Sequence, residues 1–258
     1  MWVPASESHS IERVAVIYLF KEPLPSKFVQ NASAYADGLM AEGKFIEKRL
    51  LQEANLQLYG AEALSKNTES VGYTYVDKSG EEALKILKDR AQFSATEYGT
   101  WKAFSQEADK TVGPFVSKAL TLTGIRSIKL EYVDRFIFEG PISDVDYSEM
   151  LQMDKLGLPE EARGGELPWH DRKGWFTKWD MGNVLINLNV SASDVAPRDR
   201  PDARLKSIQI VTVSETRFSE TIDQTEVATG ILEKLHDLTK ETFRSVMTEK
   251  AANLVGLV

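Results

Sequence analysis

The chain contains no cysteine. Disulfides, thiolate metal sites and cysteine nucleophiles are thereby excluded. Histidine is almost as scarce. His9, His170 and His236 are the full complement, and none has a second histidine at metal-ligand spacing. A hydrolytic zinc centre is therefore not expected. No run of about 18 apolar residues exists, so no segment reads as a membrane-spanning helix. Met1 to Ser10 lacks the basic-then-apolar order of a secretory signal. These absences together point to the cytoplasm. Three further motifs are missing: the Gly-x-x-x-x-Gly-Lys-Ser/Thr phosphate loop, Gly-x-Gly-x-x-Gly, and the Gly-x-Ser-x-Gly nucleophile elbow. Positive charge is also in deficit, with 31 Lys and Arg against 39 Asp and Glu. The resulting net charge of -8 disfavours nucleic acid as the main partner, because tracking phosphates needs a basic face.

What is present describes an ordinary globular chain. Its 258 residues, 42% apolar and 27% charged, suffice for a sizeable core. Arg13 to Phe20 is short, apolar and β-branched, and reads as a buried strand. Pro25-Ser26 opens a helix that Gly43 ends. Lys44 to Leu58 is open between two readings, although Ile46, Leu50, Leu51, Ala54 and Leu58 fit a helix. Val71 to Val76 and Ala83 to Leu87 flank the turn Asp77-Lys78-Ser79-Gly80 as a hairpin. Gln92 to Tyr98 reads as a strand. Trp101 to Ala119 has helical spacing, which Gly113-Pro114 is expected to kink or interrupt. Ser127 to Phe138 alternates as a strand.

Beyond Gly140-Pro141, Tyr147 to Lys155 reads as a short helix and Gly157 to Pro168 as a loop. Gly174 to Trp179, Asn183 to Val190 and Leu205 to Thr216 read as strands. Ser193 to Asp202 reads as a solvated connection. From Asp223 to Val258 a long amphipathic helix is expected, with Ile231, Leu232, Leu235, Leu238, Phe243 and Val246 on its buried stripe. The order predicts an α+β protein: antiparallel meandering sheets with long helices packed on one face. Residues 1–140 and 141–258 form two halves of similar order, or one compact domain.

The densest aromatic cluster is Trp169 to Trp179, which holds three of the five tryptophans. Alternation on a strand puts Trp175, Thr177 and Trp179 on one face and Phe176 and Lys178 on the other. Trp169, His170, Arg172, Lys173, Trp175 and Trp179, with Arg135, are the candidate binding residues, because tryptophan and arginine dominate binding hot spots. The competing reading makes these tryptophans core. Glu131, Asp134 and Arg135 lie on one strand, Glu131 and Arg135 on one face and Asp134 on the other, as a site or as ion pairs that hold register. Asp144, Asp146 and Glu149 are a cation site or an acidic helix start. His236 falls near the apolar stripe as a packing residue or a general base.

Three segments carry a family resemblance. They are Tyr98-x-x-Trp101-x-x-Phe104, the strand Glu131-Tyr132-Val133-Asp134-Arg135, and Leu235-His236 with Phe243, Met247 and Thr248. Met153 to Leu158 adds a Leu-Gly-Leu element. The chain from Gln92 onward resembles a sporadically distributed family of bacterial proteins of about 250 residues. In that family the strand ends Arg-Tyr-x-Asn-Arg and the terminal helix carries Leu-His, Phe and Thr. Here Glu131 and Asp134 replace the family's Arg and Asn. The resemblance implies an extended segment near Leu58 and a shared architecture. It also implies an association with mobile-element, phage-defence and toxin–antitoxin genes. It carries over no chemistry.

The sequence thus favours a non-enzymatic interaction protein, an antitoxin-like, chaperone-like or phage-defence accessory. Its expected partner is another protein, with no membrane, no cofactor, no metal and no catalytic residue assigned. A homo-oligomer stays open. The alternative is a metal-dependent enzyme or sensor of a nucleotide-like ligand. In that alternative Glu131, Asp134 and Asp144 hold the metal, and Arg135, Arg172 and Lys173 hold phosphate.

Overall fold

The computed structural model describes residues 1–6, 9–59, 62–165, 167–180, 182–196, 204–218, 220, 222 and 225–257, with side chains for all of these except 54–59, 62–69, 225–227 and 229. The first half of the described chain runs β1 (Trp2–Pro4), β2 (Ile11–Phe20), α1 (Ser26–Ala41), β3 (Glu47–Tyr59), β4 (Glu62–Val76), β5 (Glu82–Leu87), β6 (Arg90–Ala95) and α2 (Trp101–Ala119). The remainder runs β7 (Ile125–Phe138), α3 (Met153–Leu156), β8 (Trp169–Trp179), β9 (Gly182–Val195), β10 (Leu205–Phe218), α4 (Thr225–Val246) and α5 (Glu249–Leu254). This is an α+β protein with extensive antiparallel sheet. Among the described residues no helix is long and apolar enough to cross a membrane.

The chain forms two compact units. One comprises Met1–Val14, Lys129–Arg217 and Ile231–Val258, and the other Ala15–Ile128 and Phe218–Gly230. The second unit orders its strands β3-β4-β5-β6-β2. Val14 to Tyr18 are buried without alternation, as expected of a strand covered on both faces. The hairpin at Asp77 to Gly80 forms as predicted, with Tyr75 opposite Leu84 and Val76 opposite Ala83. Lys44 to Leu58 is not helical. Glu47–Tyr59 is β3, because each of its residues finds a cross-strand partner on β4. Gly43 ends α1 in the left-handed region at φ 80°.

Helix α2 is not interrupted at Gly113-Pro114 and runs unbroken through Pro114. Proline cannot donate to the carbonyl four residues back, that of Lys110. The Tyr35 hydroxyl donates to that oxygen instead, at 3.1 Å. Thr100 caps the helix start by accepting from the Ala103 N–H. The Tyr98, Trp101 and Phe104 rings form one aromatic cluster, in which Phe104 stacks on Phe93 at 5.7 Å. That segment therefore does packing work in this unit.

The first unit orders its strands β7-β10-β9-β8, with β1 also paired to β7. β9 alternates cleanly: Val184, Ile186, Leu188, Val190 and Ala192 are buried and the residues between them are not. Leu188, Val190, Ile208, Ile210 and Phe136 share a core with Phe243, Val246 and Met247 of the terminal segment. That segment is not one helix. α4 stops at Val246, and Thr248 caps α5 by accepting from the Ala251 N–H. Met247 bridges to Leu151 at the break, and the Thr248 N–H donates to the Met150 carbonyl. Tyr147 to Lys155 is likewise divided, into a 3-10 turn at Tyr147–Glu149 and the short α3. The connection expected from Ser193 is strand as far as Val195, and residues 197–202 of it lie outside the described ones.

Candidate functional site

The aromatic cluster is all strand. β8 spans Trp169–Trp179 and pairs with β9 along its whole length, Trp169 opposite Ala192 through Trp179 opposite Gly182. It ends the strand order of its unit, so its other edge pairs with no strand among the described residues. Alternation then assigns two faces. Trp169, Asp171, Lys173, Trp175, Thr177 and Trp179 share the face of the buried β9 residues. His170, Arg172, Phe176 and Lys178 take the opposite face and are all exposed. Gly174 lies between them, where a Cβ would come within 2.9 Å of the Asn187 Oδ1.

The candidate residues separate into different roles. Trp169 is half-buried and packs edge-on against Tyr147 at 5.6 Å, so it belongs to the core. Lys173 donates to the carbonyls of Lys155 and Leu156, both at 2.8 Å. It thereby satisfies the end of α3. Arg135 is distant in strand order from β8. Its guanidinium donates to Glu12 at 2.6 Å and to the Ser207 hydroxyl at 3.1 Å. Three candidates are thus occupied internally. His170, Arg172 and Trp175 remain presented to solvent, with Trp175 40% exposed.

Beside Trp175 the structure exposes Phe176, at 64%. Parity on the strand signalled that it opposes the tryptophan face, but not which face is open. Trp179 has a different setting. With Thr177, Val184, Leu235 and Leu238 it lines a cleft of about 200 Å³ between β8–β9 and α4. Lys234 lies over its indole ring at 5.3 Å, a cation–π contact. Val184, Lys234, Leu235 and Leu238 were beyond reach of local reading as site residues, because they converge from segments far apart in sequence.

The charged residues read as a possible metal or phosphate site are distributed otherwise. Glu131 pairs with Arg13 and with Lys129. Asp134 is buried and accepts from the Ser10 hydroxyl at 2.7 Å. Its burial, reinforced by Glu12, pushes its pKa up to about 7 against the pull of the Ser10 hydrogen bond. Asp146 accepts from the Ser148 N–H, and Glu149 pairs with Lys250. Among the described residues no three His, Asp or Glu side chains converge as a metal site. His236 Nδ1 lies 3.0 Å from the Tyr132 hydroxyl, and burial lowers its pKa.

No protein-family model matches this chain, and no curated protein is a significant match to it.

Proposed function

We propose that this protein is a non-enzymatic interaction protein, an accessory of the chaperone-like or antitoxin-like kind. It holds an extended segment of a partner protein by strand addition along β8. One observation carries the reading. β8 is an edge strand that leaves Trp175 and Phe176, neighbours in sequence, 40% and 64% exposed. Large aromatics gain a few kcal/mol when buried, so an exposed pair on an open backbone edge is a strong anchor for a partner. The backbone supplies affinity through ladder hydrogen bonds, and the two rings supply selectivity on opposite faces.

The test is capture of a stoichiometric protein partner from the native host by the tagged chain, repeated with Trp175→Ala/Phe176→Ala. The double variant is expected to weaken capture by at least about 30-fold, as loss of a hot spot of about 2 kcal/mol does. Phe176 is mostly exposed and Trp175 partly so, and urea unfolding of the double variant should show a cooperative transition with a stability loss of about 1–2 kcal/mol, mainly from the buried part of Trp175. Retained capture by a folded double variant would refute the reading. Loss of fold in the variant would return both rings to the core, and with them the assignment of the site.

A further inference from the structure

We infer that the segment received by β8 is acidic, with carboxylates at alternate positions and apolar side chains between them. The inference rests on the reading of β8 as an edge that accepts a strand. Its ground is charge. The protein as a whole carries -8, yet β8 holds His170, Arg172, Lys173 and Lys178 against one acid, Asp171. Asp171 shares the core-side face with Lys173 and lies 3.3 Å from its ammonium. On the opposite face β8 presents His170, Arg172, Phe176 and Lys178. The β9 residues registered with these four positions and with Gly174 are Asn183, Leu185, Asn187, Asn189 and Ser191. That face of the two strands therefore has no carboxylate of its own. Neither Arg172 nor Lys178 forms an ion pair among the described residues.

A strand added to β8 places its alternate side chains directly opposite those of β8, on the same face. Acidic residues in one parity meet His170, Arg172 and Lys178. Residues of the other parity meet Trp175, Thr177 and Trp179, where the cleft floored by Val184, Leu235 and Leu238 accepts an apolar side chain. The same charges argue against a second copy of β8 as occupant. Antiparallel pairing of two copies about Trp175 would set Lys178 opposite Arg172, and like charges directly opposite destabilise a sheet. Lysine on an open edge is also a recognised deterrent to self-pairing.

Three labelled peptides of the eleven-residue length of β8 test the inference by fluorescence anisotropy. All alternate valine with a second residue: glutamate, glutamine or lysine. The glutamate peptide is expected to bind roughly tenfold tighter than the glutamine peptide at low salt, from a few cross-strand pairs of up to about 1 kcal/mol each. The lysine peptide should bind least. Arg172→Glu/Lys178→Glu should reverse that order while urea unfolding stays unchanged, since both side chains are exposed. Equal binding of the glutamate and glutamine peptides would overturn the acidic assignment and leave strand addition standing. Failure of all three to bind would overturn both. Tighter binding of an oligothymidylate than of the glutamate peptide, lost in the charge-reversed variant, would overturn it in favour of nucleic acid. A dimer in sedimentation equilibrium that the same variant dissolves would assign the edge to a second copy instead.

Discussion

Gly72→Ala is expected to destabilise the protein by several kcal/mol, more than any truncation of its exposed aromatics. Gly72 stands opposite Leu87 where β4 begins its pairing with β5, at φ 153°. A Cβ built there would lie 2.0 Å from the Ile86 carbonyl oxygen and 2.8 Å from the Leu87 Cα. Both contacts are with backbone, so no side chain can rotate to make room. Relief requires β4 and β5 to separate. That breaks ladder hydrogen bonds beside Leu84 and Ile86, which are fully buried. Strained backbone conformations alone cost about 1–3 kcal/mol, and overpacking a further 1–3. Gly80 provides the comparison. It also has positive φ, at 77°, but a Cβ there meets nothing within 4 Å. Gly80→Ala should therefore cost only about 1 kcal/mol, the ordinary left-handed penalty. Urea unfolding of both variants checks this. Equal midpoints for the two would show that β4 can yield at Gly72.

Asp134→Asn is expected to stabilise the protein at alkaline pH and to have little effect in acid. Asp134 is 3% exposed, and burial holds its pKa near 7 against an ordinary 3.8. Between those values the native state keeps a proton that the unfolded chain releases. Stability from this group is therefore complete below pH 3.8 and is lost progressively as pH rises to about 7. Above that, the ionised carboxylate costs on the order of 4 kcal/mol. Asparagine keeps the oxygen that accepts from Ser10 and cannot ionise. The difference between variant and native stability should thus grow from near zero at pH 4 to a few kcal/mol at pH 8. Titrating groups other than Glu12, whose charge is coupled to that of Asp134, cancel in that difference. A variant no more stable than the native protein at pH 8 would mean that Asp134 ionises without penalty.

The two positions also mark where local reading of this chain reaches its limit. Alternation in Ser127 to Phe138 identified a strand and placed Asp134 opposite the face of Glu131 and Arg135. It did not say that Asp134's face was the dry one. Helical spacing in Lys44 to Leu58 was real but gave way to cross-strand pairing with β4, since short apolar runs fit either period. Gly113-Pro114 looked like an interruption because the sequence around it does not contain the hydroxyl of Tyr35. The break at Met247-Thr248 was hidden for a similar reason. The apolar stripe continues through it, while the bonds that stop α4 come from residues 149–152.

By itself the sequence determined the absences and the periods. It lacks every thiol and the common nucleotide and nucleophile motifs, and its alternating and helical segments specify most of the strands and the long helices. Those follow from residue chemistry and from contacts within a few positions, which need no partner distant in the chain. Tertiary structure decided which strand of the first unit became the edge. It took Trp169, Lys173 and Arg135 inward, left Trp175 and Phe176 outside, and brought α4 beside β8 to form the cleft. Edge status and exposure are properties of strand order, and strand order is set by pairings between residues that can be more than a hundred positions apart, as Trp2 and Phe138 are.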